Sequence, residues 1–139
     1  MPAEAKVESK EGLLAFVYFW FSLVNYGYET GDTDPVRTSS GQGCLSCTTF
    51  YDSVEGTYSA GGWVEGGSIE LISAGSEFTS TDEGNKQVII AIKQAPMAKR
   101  DATGRVFESN QGNELSVPQI LELRYTGDGW FVETLETIN

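Results

Sequence analysis

The stretch GLLAFVYFWFSLV, residues 12–24, is the longest apolar run in the chain and constrains its fold more than any other feature. A bilayer-spanning helix needs about 18–20 apolar residues, and this run is shorter. A secretory leader needs a basic flank and a small-x-small cleavage site. The flank here, MPAEAKVESKE, is mixed in charge and no such site follows. The run therefore reads as a buried helix. Leu13, Phe16, Val17, Trp20 and Val24 share one face, and Leu14, Tyr18 and Phe21 line another. A helix apolar nearly all round is normally central to its domain. Ser9 is placed to cap its start, with Gly12 a minor weak point, and Gly31 in YETGD is placed to end it.

The chain then restarts at DTDPVRTSS, where Asp34 and Pro35 form a cap and first-turn pair for a short helix that SSGQG breaks by residue 43. A third helix is expected from about Cys44 to Ser59, with Leu45, Phe50, Val54 and Tyr58 on roughly one face and the pairs Gly61-Gly62 and Gly66-Gly67 ending it. Near residue 67 the hydrophobic period changes to two. Strands are expected over 68–80, 86–96, 105–110, 115–127 and 129–138, separated by TDEGN, DATG, NQGN and GDG. TGDGW signals a hairpin, and Pro118, which has no donor NH, marks a strand start, bulge or edge.

Helices followed by a meander of strands define an α+β domain: three N-terminal helices on a curved antiparallel sheet of four to six strands. At 139 residues a single domain is expected, with residues 1–8 as a flexible lead-in and 9–139 as the folded unit. Twenty acidic against nine basic residues give a net charge of −11, which repels phosphate backbones and argues against nucleic-acid binding. The chain has no histidine, so neither a Ser-His-Asp nor a Cys-His site is available.

The element order resembles the cone of nuclear-transport-factor-2-like and cystatin-like domains. A narrower resemblance rests on FVYFWFSLVNYGYETGDTDPV, GCLSC and YSAGGWVEGG, with Tyr18, Trp20, Asn25-Tyr26, Thr30-Gly31-Asp32, Cys44, Cys47, Tyr58 and the two glycine pairs. These pieces resemble an actinobacterial lipoprotein family, domain of unknown function 6318. The resemblance implies a cell-envelope protein, lipid-anchored on the outer face of the cytoplasmic membrane. It carries the expectation of a signal peptide and lipobox encoded upstream of Pro2, joined by a polar linker. It implies no reaction.

Cys44 and Cys47, in GCLSC, are the only cysteines. A thioredoxin-like redox centre places such a pair at a helix start, as here, but strands alternating with helices should surround it. A zinc site usually needs four ligands, and the chain offers two thiols and no imidazole. A structural disulfide is the remaining reading, and it agrees with the exported character that the resemblance implies.

A pocket between the long helix and the sheet is a feature of cone-shaped domains. Tyr18, Trp20, Tyr26, Tyr28, Tyr51, Tyr58, Trp63 and Trp130 are candidates to line it, with Trp20 and Trp130 read as core. The ligand-binding set singled out is Tyr18, Asn25, Tyr51, Tyr58 and Trp63. Asn25 is read as a partner for a buried ring's polar atom or as a ligand-orienting group. Glu29, Asp32 and Asp34 cluster at a helix junction, where capping explains them more cheaply than acid–base work. DTD lacks the spacing of a calcium loop, and no lysine follows GGWVEGG to make a phosphate cradle.

The leading expectation is a non-catalytic domain that binds a protein partner or small ligand outside the membrane, with no cofactor and no metal. The alternatives are an isomerase- or dehydratase-type pocket enzyme using a buried carboxylate, and a homodimerisation domain.

Overall fold

The computed structural model describes residues 1–137. It is an α+β fold with three helices, α1 (Lys10–Thr30), α2 (Asp34–Thr38) and α3 (Leu45–Ser59), followed by seven strands. The strands are β1 (Trp63–Gly66), β2 (Ile69–Gly75), β3 (Lys86–Gln94), β4 (Met97–Arg100), β5 (Val106–Asn110), β6 (Asn113–Tyr125) and β7 (Trp130–Thr137). They form two antiparallel sheets, one in the order β1-β4-β5 and one in the order β2-β3-β6-β7. The single sheet of four to six strands expected from sequence is thus corrected to two sheets. Ile138, at the end of the strand expected over 129–138, lies outside the described residues.

The two missed strands have one cause. Each long strand of the meander is broken at the same level and continues in the other sheet. The breaks fall at Gly67 and Ser68, at Ala95 and Pro96, and at Gln111 and Gly112. Across this corner Gly67 N–H donates to the Pro96 carbonyl at 3.0 Å and Ala95 N–H to the Ser68 carbonyl at 2.9 Å. Asn113 braces it from the side, its Oδ1 accepting from Gln94 N–H at 3.0 Å and its Nδ2 donating to the Ile92 carbonyl at 3.1 Å. Gly112 has φ +72°, and a Cβ there would lie 2.1 Å from the Gln94 carbonyl oxygen. The glycines that read as a helix terminator therefore frame β1.

Helix α1 begins and ends as its sequence directs. The Ser9 side chain accepts from Gly12 N–H, and Gly31 closes the helix at φ 80°. Its buried stripe is one-sided: Leu13, Phe16, Val17, Trp20, Phe21 and Val24 are buried, whereas Tyr18 and Tyr26 are exposed. The stripe packs with Val88, Ile90 and Ile92 of β3, Leu121 and Leu123 of β6, and Trp130 and Val132 of β7 in one core. The inward phase of β3 is strict, with Ile89 between them exposed. Trp20 and Trp130 are both core, and each indole N–H is satisfied, by Ser40 Oγ at 2.8 Å and by the Val7 carbonyl at 3.0 Å.

The segment read as a flexible lead-in is packed. Ala3–Lys6 forms a 3₁₀ turn with Ala5 fully buried. The Lys6 carbonyl accepts from the Tyr125 hydroxyl at 2.8 Å, and the turn's path brings Val7 over Gly12, where a Cβ would meet the Val7 carbonyl oxygen at 2.1 Å. Gly12 is thus a crossing point. In α2 the cap position falls to Thr33, with Asp34 and Pro35 in the first turn. In α3 the buried face is Cys47, Tyr51, Val54 and Thr57, and Leu45 is 80% exposed. Of the face expected from Leu45, Phe50, Val54 and Tyr58, Val54 is buried and Phe50 and Tyr58 are half-buried, whereas Leu45 stands in solvent. Pro118 falls inside β6, opposite Ala91 of β3, and not at a strand start.

Replacing Gly112 with alanine should cost about 1–3 kcal/mol of stability, through positive-φ strain and the blocked corner. Gly56→Ala, in α3 with open space at the Cβ position, should instead stabilise by about 0.5–1 kcal/mol. Urea denaturation of the two variants checks both signs.

Candidate functional site

Between α1, α3 and the inner face of the four-stranded sheet lies a partly open cavity of about 190 Å³. Helix α1 supplies Trp20, Phe21, Val24 and Tyr28, which recur at helical spacing along its buried side. Helix α3 supplies Ser46, Cys47, Phe50 and Tyr51, and Val36 comes from α2. The strands supply Ile69, Ile92, Gln94, Gln119 and Leu135. No lining residue carries a charge.

The walls are tied down. The Trp20 indole donates to Ser40 Oγ, and Ser40 Oγ donates to the Val36 carbonyl at 2.7 Å. The Ser40 segment is held along β7 by Gly41 N–H to the Val132 carbonyl at 2.6 Å and Val132 N–H to the Ser39 carbonyl at 3.0 Å. Tyr28 and Phe50 meet edge to face at 4.8 Å. Burial pushes the Tyr28 phenol above its ordinary value, and a hydrogen bond with the Gln94 side chain opposes the shift. Ser46 Oγ donates to the Leu135 carbonyl at 3.0 Å, joining the start of α3 to β7.

Among the described residues, two polar atoms in the lining lack a protein partner: the Tyr51 hydroxyl and Gln119 Oε1, both buried. The Tyr51 ring is 5% exposed and carries the Arg37 guanidinium over one face at 4.2 Å. Arg37 is in turn held by Glu55 at 2.8 Å. Buried polar groups are almost always paired, so two orphans in one cavity lining stand out.

Of the five residues singled out from sequence, the fold brings Tyr51 into the cavity. Tyr18 is half exposed and outside it. Asn25 spends both halves of its amide on the backbone of Ile69, donating at 2.9 Å and accepting at 2.8 Å. The Tyr58 hydroxyl donates to the Tyr28 carbonyl at 2.6 Å and accepts from Val64 N–H at 3.3 Å. Trp63 is 38% exposed on β1. Sequence reasoning passed over Gln94 and Gln119. The signal was present: Gln94 extends the inward phase of Val88, Ile90 and Ile92, and Gln119 that of Leu121 and Leu123. A polar residue in an inward phase marks either a pairing or a pocket.

The Cys44 and Cys47 sulfurs lie 2.00 Å apart, at disulfide-bond distance, with Cα atoms separated by 5.2 Å. Both residues are buried, Cys44 caps α3, and Cys47 lines the cavity. Glu29, Asp32 and Asp34 do not line it; Asp32 Oδ1 accepts from Asp34 N–H at 3.1 Å in a local turn. Among the described residues no helix is long and apolar enough to cross a membrane, and no group of His, Cys, Asp and Glu could hold a metal ion.

These features define a small α+β domain with a neutral, aromatic-walled cavity between helix and sheet. The chain belongs to DUF6318, a family of unknown function whose match spans residues 1–136. No curated protein matches it. Two solved structures share the fold. The intermembrane space region of the chloroplast protein ARC6 is 9% identical, with 95% of this chain and 98% of that chain covered and a TM-score of 0.60. Aln2 from a Streptomyces species is 12% identical, with 95% of this chain and 93% of that chain covered and a TM-score of 0.55.

Replacing Cys44 and Cys47 together with serine should lower stability by about 2 kcal/mol, the chain-entropy value for so short a loop, and leave the fold intact. Thermal unfolding with and without reductant checks it. Wild type should lose the same increment on reduction, and the double variant should show no response.

Proposed function

We propose that this chain is a non-catalytic, ligand-binding domain of a lipoprotein on the outer face of the cytoplasmic membrane, built on a nuclear-transport-factor-2-like cone. The observation that carries the binding reading is the pair of buried polar atoms, Tyr51 Oη and Gln119 Oε1, that have no partner among the described residues in an uncharged cavity lining. Burying such atoms without partners costs about 1–3 kcal/mol each, a cost that a ligand's hydrogen bond to either atom would offset. Binding is favoured over isomerase- or dehydratase-type chemistry because no carboxylate stands in the lining to move a proton. The export reading draws on the family and on a cysteine pair at disulfide distance, a bond that persists in oxidising compartments.

Titration of the domain with toluene, followed by amide and indole NMR, should give saturable shifts centred on Trp20, Tyr51 and Ile92. Shifts confined to the outer surface, or none with any neutral ring compound, would remove the cavity reading.

The envelope placement has its own test. The native protein from its own cells should partition into the detergent phase of Triton X-114 and lose that property when lipoprotein processing is blocked. Recovery from the aqueous phase without treatment would overturn it.

A further inference from the structure

Resting on that reading, we propose that the cavity selects an uncharged, single-ring molecule bearing a hydroxyl group, of the phenol class. Three observations converge on this class.

The first is size. An apolar cavity of about 150 Å³ accepts benzene, so about 190 Å³ accommodates one six-membered ring with small substituents. The second is charge. No lining residue is ionisable to a cation or carboxylate near neutral pH, so a bound carboxylate, phosphate or ammonium would be desolvated without a counter-charge. The chain's net charge of −11 further opposes anions. A quaternary ammonium would need open ring faces to sit on. Tyr51 already carries the Arg37 cation on one face, and like charge opposes a second cation beside it.

The third is hydrogen-bonding sense. Tyr51 Oη is a donor in need of an acceptor, and Gln119 Oε1 is an acceptor in need of a donor. A ligand hydroxyl can meet either need. The other polar side chains of the lining are committed: Gln94 Nε2 donates to the Gly67 carbonyl at 3.0 Å, and Ser46 Oγ to the Leu135 carbonyl. A neutral group able to give or take a hydrogen bond therefore suits either orphan.

Calorimetry with phenol, toluene, benzoate and choline tests this directly. Phenol should bind about tenfold more tightly than toluene, the value of one net hydrogen bond or slightly more, and benzoate and choline should not bind at the same concentrations. Tyr51→Phe and Gln119→Leu, each confirmed folded by circular dichroism, should each cut the advantage of phenol over toluene. Tyr18→Phe, outside the cavity, should leave that advantage intact. Equal binding of phenol and toluene would overturn the hydroxyl assignment and leave the cavity reading standing. Preferential binding of benzoate or choline would overturn the neutral assignment. Failure of every ring compound would remove both the assignment and the reading beneath it.

Discussion

Asn25 holds the backbone of Ile69 by both its donor and its acceptor, and the seat of helix α1 on the sheet depends on that pair. Each bond is worth about 1 kcal/mol net, but removing the amide would leave a backbone N–H and carbonyl without their partner at a further cost of about 1–3 kcal/mol each. The position matters more than the sum. Ile69 is the first residue of β2, directly after the corner at Gly67 and Ser68 where the chain changes sheet. One side chain thus ties the middle of α1 to the level at which all three long strands bend. Apolar packing of α1 against β3, β6 and β7 supplies the larger energy, but it is non-directional. The amide sets how far along the sheet that packing is seated.

That seat explains why a cavity remains where a core might close. Toward its N-terminus α1 buries Leu13, Phe16 and Val17 against the sheet, with Val88, Leu121, Leu123 and Val132 in the same fully buried core. Toward its C-terminus α1 presents Val24 and Tyr28, and α3 is held there by its own ties: Ser46 to the Leu135 carbonyl and Arg37 across Tyr51 to Glu55. With α1 fixed by Asn25 and α3 fixed to β7, neither helix is free to collapse onto Gln94 and Gln119. The cavity is what those fixed distances leave between them.

Much of this was legible in the residues. The Ser9 cap, the Gly31 stop, the change from helical to strand period and the hairpin before Trp130 are local signals, and local chemistry determined them. The failures share a cause of another kind. β1 and β4 are four residues each, too short to show a period, and both exist because they continue strands across the corner. The packing of Ala5 is likewise long-range, resting on Tyr125 and Trp130 more than a hundred residues away in sequence. Of the residues singled out for the candidate site, Tyr51 lines the cavity and the other four do not. Tyr58 and Asn25 hold walls together, and exposed Tyr18 and Trp63 lie outside. The inward-phase glutamines were the sharper signal, because a strand that alternates strictly has no reason to turn an amide inward unless something there receives it.

The cysteine pair fits the same logic of position over energy. A loop this short restricts the unfolded chain less than a long one, so the bond's contribution of about 2 kcal/mol is at the low end for a disulfide. Its geometric effect is larger. Cys44 caps α3, Cys47 N–H donates to Cys44 Sγ at 3.2 Å, and the link fixes the rotation of the first helical turn. That rotation turns Cys47 and Tyr51, one helical turn apart, toward the core and leaves Leu45 in solvent. The clasp therefore acts on which face of α3 meets the sheet. Through that choice it places the Tyr51 hydroxyl in the cavity wall, where no atom of the described residues pairs with it.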